Sequence, residues 1–148
     1  MGVNETHAYN LDVHVAEIYD RVETQTDDVA LIRRLIADKG TLRVLEPFCG
    51  NGRIVIPLAC DGHEIVGMDR AKAMLDSARA KTAGLPAEVR RRITLIEADV
   101  LASDWPNDFD LVLLGGNCFY ELASAAEQES CVARASAALK PGGCVYVD

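Results

Sequence analysis

Residues 44–53 read Val-Leu-Glu-Pro-Phe-Cys-Gly-Asn-Gly-Arg and constrain the fold more than any other stretch of this chain. The apolar pair Val44-Leu45 closes in an acid, Glu46, and a turn containing Gly50 and Gly52 follows. A helix-compatible run from Arg53 to Ala59 comes next. The pattern predicts a strand, a tight turn and a helix start, the unit from which parallel sheets are built. Glycine in such a turn leaves no Cβ between the backbone and a ligand, and it tolerates positive φ. A helix N-terminus would add free N–H groups and a positive dipole end. The spacing disfavours two phosphate sites. A dinucleotide turn reads G-x-G-x-x-G, but Gly50-Asn51-Gly52 is followed by Arg53-Ile54-Val55. A phosphate-cradling loop needs Gly-Lys-Ser/Thr, which does not occur here. An acid closing the strand would repel pyrophosphate and suits a ligand carrying an ammonium group. An ordinary β–α turn would use the same glycines, so the turn alone leaves both readings open.

The downstream residues repeat the pattern. A second strand, Glu64-Ile-Val-Gly-Met68, ends at Asp69. An acid at the end of the next strand, about 20 residues past a glycine turn, is placed to accept hydrogen bonds from ribose hydroxyls. A third strand, Ile93-Thr-Leu-Ile96, runs into Glu97-Ala98-Asp99-Val100, where Asp99 is placed to accept from an adenine amino group. A fourth, Asp110-Leu-Val-Leu-Leu114, leads into Gly115-Gly116-Asn117-Cys118-Phe119. The last, Cys144-Val-Tyr-Val147, follows a turn at Leu139-Lys-Pro-Gly-Gly143. Each acid taken singly also reads as a loop carboxylate or helix cap. Together they fall at successive strand ends, the edge along which open α/β sheets bind ligands.

Helices fill the intervals. Thr26 is expected to cap a helix with Asp27 and Asp28 in its first turn, Val29, Ile32, Leu35 and Ile36 on one face, and Gly40 closing it. Met74, Leu75 and Ala78 mark another from about Arg70 to Ala83, closed by Gly84. Ser124 with Glu127 reads as a capping box for a helix to Leu139. Strands alternating with helices predict a parallel sheet covered on both faces. Residues 1–25 read as an N-terminal arm with Tyr9 and Tyr19, and 26–148 as one domain.

At this point the chain resembles the class I S-adenosylmethionine-dependent methyltransferases, over about residues 10–148. The resemblance implies a Rossmann-like sheet with helices on both faces and S-adenosylmethionine as cofactor, leaving as S-adenosylhomocysteine. It implies Glu46 near the methionine ammonium and the backbone of Phe48, Cys49, Gly50 and Gly52 along the methionine moiety. It implies Asp69 on the ribose with Arg70 beside it, and Asp99 and Val100 flanking the adenine. Gly115, Gly116 and Asn117, up to Cys118, are implied beside the sulfonium, and Tyr19 of the arm is implied to reach the cofactor. Tyr19 packing between helices is the alternative reading. Phe48 stands where the family usually has the first glycine of the turn, a departure read here as a variant.

Two branches of the family compete. Glu46-Pro-Phe-Cys-Gly-Asn-Gly52 is also similar to nucleic-acid amino-methyltransferases, which follow the fourth strand with Asp/Asn-Pro-Pro-Tyr/Phe. Here Gly115-Gly116-Asn117-Cys118-Phe119-Tyr120-Glu121-Leu122 contains no proline. It is more similar to the Gly-Asn-Ser-Phe-x-His-Leu of glycine and sarcosine N-methyltransferases, with Cys118 for the serine and Glu121 for the histidine. The resemblance implies direct methyl transfer to a small-molecule nucleophile, with an amine as the suggested acceptor. Asn117 would orient the acceptor, and Tyr120 or Glu121 would assist. A nucleotide-dependent oxidoreductase and a non-catalytic cofactor-binding domain are the other classes considered. The family normally adds two further strands, one antiparallel, so a truncated domain is expected, with the edge of the last strand covered by another copy or chain.

Composition points toward a small-molecule ligand. The 148 residues suit one domain, and 15 Lys+Arg against 23 Asp+Glu give a net charge of −8. Nucleic-acid binders need a positive face to neutralise phosphates, so no nucleic-acid partner is expected. Arg90-Arg91-Arg92 reads as a solvated loop. The five cysteines show no C-x-x-C spacing, and Cys60, Cys131 and Cys144 read as small buried apolar residues of a reducing compartment. His7, His14 and His63 are scattered, so no metal is expected. No apolar run reaches transmembrane length. Met1-Gly2-Val-Asn-Glu-Thr6 matches the myristoylation pattern, but one acyl chain without a basic patch anchors poorly. A cytoplasmic protein without a membrane partner is expected.

Overall fold

The computed structural model describes residues 16–18, 21, 26–116 and 118–148. Strands β1 (Arg43–Glu46), β2 (Glu64–Asp69), β3 (Ile93–Glu97), β4 (Phe109–Leu114) and β5 (Leu139–Val147) form one sheet in the order β3-β2-β1-β4-β5. Every neighbouring pair is parallel. Helix α1 (Asp27–Ile36) precedes β1, and between the strands lie α2 (Val55–Cys60), α3 (Lys72–Ala83), α4 (Ala87–Arg90) and α5 (Ala125–Ala138), with a 3₁₀ turn at Cys118–Glu121. This is the expected doubly wound α/β architecture.

Alternation along the strands divides the core. Val44, Ile65, Leu111 and Leu113 pack with Val29, Ile32 and Ile36 of α1, Val55 and Leu58 of α2, and Leu75 of α3. Leu45, Val66, Met68, Val112 and Leu114 face the other way, against Cys131, Ala135 and Ala138 of α5. Both faces of β1 and β4 are covered, which explains their unbroken apolar runs. The chain leaves β1 toward β2 and β3, then returns to β4 and β5 on the other side. That reversal opens a crevice at the carboxyl ends of β1 and β4.

Several expectations require correction. Helix α2 begins at Val55, not Arg53, and is only six residues long. Its N-terminus therefore contributes little to any ligand site. Thr26 makes no side-chain cap hydrogen bond, and Leu35 faces solvent at 54% exposure. Ser124 Oγ does accept from Glu127 N, but the Glu127 carboxylate reaches the N–H of Ala123, one residue before the cap. The Leu139–Gly143 segment is not a separate turn: β5 starts at Leu139. Phe109 pairs with Leu139 and Leu111 with Cys144, so residues 140–143 bulge opposite Asp110 alone. Arg90 ends the short helix α4, and Arg92 donates to Ala59 O at 3.2 Å. Cys60 and Cys144 are exposed, whereas Cys131 is buried as expected. Among the described residues no helix is long and apolar enough to cross a membrane.

Candidate functional site

The glycine turn is pinned to the end of β2. Cys49 N donates to Met68 O at 2.9 Å, and Gly52 N to Cys49 O at 3.0 Å. Gly50 and Gly52 take φ of 52° and 85°, the left-handed region where a side chain is strained. Lys81 of α3 donates to Asn51 O at 3.2 Å. Beneath the turn lies Gly67. A Cβ there would stand 2.8 Å from Cys49 Sγ and 2.9 Å from Cys49 Cβ. The turn thus rests directly on the backbone of β2.

Asp69 builds this geometry. Its Oδ2 accepts from Gly50 N and its Oδ1 from Ala71 N, each at 2.8 Å. The carboxylate links the turn after β1 to the chain entering α3. Burial raises its pKa, against the lowering effect of those two N–H groups. A carboxylate offers about four acceptor positions, so Asp69 keeps capacity for a further donor. Above it, Ala16 of the N-terminal segment packs on Ala71 and Met74.

Glu46 ends β1 and is 4% exposed. Its Oε2 has no hydrogen-bond partner among the described residues. Burial pushes its carboxyl up to about 8; Arg53 opposes this, while Asp69, Asp28 and Asp148 reinforce it. Arg53 is bound to Asp28 of α1 through two N–H donors, at 2.8 and 2.7 Å. Burial alone would raise the Asp28 carboxyl, but the Arg53 fork and the Val29 N–H hold it below its ordinary value. The Arg53 guanidinium also lies 3.4 Å from the position a Cβ would take on Gly116.

The β4 and β5 ends complete the crevice. Gly115 is buried, with Asp148 Oδ2 and the Tyr146 ring each 3.7 Å from its Cβ position. Tyr146 OH donates to Asp148 Oδ2 at 3.1 Å, and burial with the Asp148 charge raises the phenol to about 12. Cys118 is buried, and burial with the charges of Glu46, Glu121 and Asp148 pushes its thiol far up. Burial does the same for Cys49. Neither thiol is a ready nucleophile.

Of the residues singled out from sequence, Glu46, Cys49, Gly50, Gly52, Asp69 and Gly115 gather around this crevice. Phe48 is partly buried on the α5 side of the core. Val100 is buried, and Asp99 Oδ1 accepts from Leu101 N at 2.9 Å, closing the turn after β3. Gly116 takes a φ of 68° and is exposed, as is Arg70. Tyr120 is 67% exposed and sits edge-on to Phe119. Tyr19 and Asn117 lie outside the described residues, as does most of the arm. Sequence reasoning missed Asp28, Arg53, Gly67 and Asp148. Only an acid at the end of another strand could have flagged Asp148; the Asp28–Arg53 bridge leaves no local signal.

A cavity of about 490 Å³ opens elsewhere, beside Arg33, Ile36, Gly40, Thr41, Asp61 and His63. It lies at the amino ends of β1 and β2, opposite the glycine turn. Arg33 is bridged there to Asp61 at 2.6 Å, and His63 Nδ1 accepts from Leu42 N. Its size does not outweigh the convergence of acids and glycines at the carboxyl edge.

Known proteins share this fold. Residues 44–143, from β1 into β5, match the family described as a methyltransferase domain. The chain is 34% identical over 114 residues to the 23S rRNA (uracil(1939)-C(5))-methyltransferase RlmD of Shewanella halifaxensis, covering 76% of this chain and 24% of that protein. It is 31% identical over 106 residues to the ubiquinone biosynthesis O-methyltransferase of Chromobacterium violaceum, covering 70% and 42%. The chain thus spans less than half the length of these curated relatives. The CcbJ methyltransferase from Streptomyces caelestis superposes with a TM-score of 0.82 at 25% identity, covering 95% of this chain and 57% of that one. The glycopeptide N-methyltransferase MtfA complexed with S-adenosyl-L-methionine gives 0.71 at 27% identity, covering 79% and 48%. With the matched segment running through the glycine turn and both neighbouring strand ends, the chain belongs to the methyltransferase domain family.

Proposed function

We propose that this chain is the cofactor-binding part of an S-adenosylmethionine-dependent methyltransferase acting on a small-molecule nucleophile. The observation that carries the reading is the Glu46 carboxyl: buried, with one oxygen unpartnered, at the end of the central strand. A buried polar atom without a partner is unfavourable, so the residue fits a ligand that brings a donor or a cation. The glycine turn lies beside it, and Asp69, which holds Gly50 N, offers acceptors at the next strand end. Glu46 would hold the methionine ammonium, Asp69 the ribose, and Asp99 with Val100 the adenine. When bound, S-adenosylmethionine supplies an electrophilic methyl on a sulfonium, already a good leaving group. The chain's own task is then to align the reactants and exclude water. Exposed Tyr120 would meet the acceptor together with Asn117.

An amine is the acceptor this reading favours. The 115–122 segment resembles glycine and sarcosine N-methyltransferases. The acids Glu46, Glu121 and Asp148, all felt by the Cys118 thiol, suit a basic acceptor. The likeness to RlmD favours a second reading, methylation of nucleic acid; the net charge of −8 weighs against it. Calorimetric titration with S-adenosylhomocysteine and with NAD tests the cofactor. One saturable site for the former and none for the latter is expected, and preferential NAD binding overturns the reading. A salt-dependent micromolar affinity for tRNA or duplex DNA would favour the second reading.

A further inference from the structure

The buried acid at the end of β1 faces an unusual set of neighbours. From the turn before α2 comes Arg53, already gripped by Asp28 of α1. From β2 comes Asp69, and from the end of β5 comes Asp148. The Cys49 and Cys118 thiols also lie within reach of its charge. One cation, shared with Asp28, thus stands against three other carboxylates, Asp28, Asp69 and Asp148. Glu46 is shielded from water, and its Oε2 accepts nothing from the described residues. A carboxylate in that setting would be desolvated, repelled by its neighbours and short of donors.

We propose that Glu46 is protonated in the ligand-free protein and that the cationic end of the ligand displaces its proton on binding. This deepens the cofactor reading of the same site and rests on it. The exchange balances simply. The Glu46 O–H bond breaks, the proton passes to solvent, and the carboxylate left behind pairs with the incoming ammonium. No bond to the ligand forms or breaks. The charge at Glu46 is the same before and after, because an ammonium enters as a proton leaves. The acids around Glu46 therefore do not oppose ligand uptake as they oppose ionisation. The raised Glu46 carboxyl, near 8, agrees with this state around neutral pH. Asp69 is raised in the same sense, but its oxygens already accept two backbone N–H groups that favour its charge.

The mechanism makes uptake a proton-releasing event with a pH-dependent affinity. Below about pH 8, affinity should rise as pH rises, up to tenfold per pH unit for a single displaced proton. The test is calorimetric titration with S-adenosylhomocysteine at pH 6.5 and 7.0, in phosphate and in a buffer of large ionisation enthalpy. Nearly one proton released per site is expected for the wild type. Glu46→Gln keeps the shape and removes the titration. It should bind with release close to zero and a flat pH dependence between 6 and 7.5. Binding by the wild type without proton release, or release that persists in Glu46→Gln, overturns the proposal and leaves the cofactor reading intact. Failure of the wild type to bind S-adenosylhomocysteine overturns both.

Discussion

The contact between Cys49 and Gly67 yields a prediction with opposing effects that can be weighed. Replacing Gly67 by alanine places a Cβ 2.8 Å from Cys49 Sγ, 2.9 Å from Cys49 Cβ and 3.1 Å from Leu95 Cδ2. Carbon atoms prefer about 3.5–4.0 Å, so the overlap approaches 1 Å on one side. Gly67 sits within β2 and is absent from the positive-φ residues, so alanine incurs no left-handed strain. Alanine also restricts the unfolded chain, a gain of about 0.4–1 kcal/mol. Overpacking a close-packed core costs about 1–3 kcal/mol. Overpacking should win, because the N–H bond from Cys49 to Met68 O ties Cys49 to the same strand and keeps it from backing away. A net loss of about 1–2 kcal/mol is expected, together with weaker S-adenosylhomocysteine binding as the turn lifts off the strand. Urea denaturation followed by circular dichroism measures the first, and calorimetry the second. Adding Cys49→Ala should recover part of the stability, since it removes Sγ but not the Cβ contact. A Gly67→Ala protein as stable as wild type would show that the turn does not rest on β2 as described.

Other outcomes follow from the same crevice. Glu46 binds its proton more tightly folded than unfolded, so ligand-free stability should fall as pH rises from about 4.5 to about 8. The loss is at most ~1.4 kcal/mol per pH unit; parallel denaturation curves for wild type and Glu46→Gln across that range would refute it. Arg53→Met leaves the partly buried Asp28 carboxylate without its fork and should destabilise the protein by ~1–3 kcal/mol, with Asp28→Asn in the same background recovering part; an unchanged midpoint for Arg53→Met would deny the bridge any weight. Asp69→Ala should weaken S-adenosylhomocysteine binding by ~1–3 kcal/mol and also lower the melting temperature, because the carboxylate closes the turn. Unaltered affinity would remove Asp69 from the ligand site.

The strand ends were legible in the sequence because parallel strands buried on both faces leave continuous apolar runs, and Glu46 and Asp69 interrupt theirs. The glycine turn was legible for a similar reason: positive φ at Gly50 and Gly52 selects glycine. What lay hidden depends on distance along the chain. Asp28 and Arg53 are 25 residues apart and meet only once α1 has docked. Asp28 on its own reads as a helix-dipole acid. Arg53 on its own reads as the first residue of a helix that in fact starts at Val55. The start of β5 was obscured because Pro141, Gly142 and Gly143 signal a turn, while the ladder absorbs them as a bulge. Cys60 and Cys144 carry an apolar residue type onto the surface, and no local pattern distinguishes them from buried Cys131.

The β4–β5 bulge also offers a handle for protein engineering. Residues 140–143 project where β5 begins, at the end of the sheet away from the glycine turn. Gly142 has open space around its Cβ position and already holds a φ of 82°, whereas Gly143 is hemmed in by Leu139 and by the carbonyls of Phe109 and Asp110. An insertion between Pro141 and Gly142 would extend an existing protrusion without shifting the register that aligns Leu114 with Val147. A fluorophore or affinity tag carried there would sit a strand's length from Glu46 and Asp69. It would leave the carboxyl edge free while the tagged protein is immobilised or imaged.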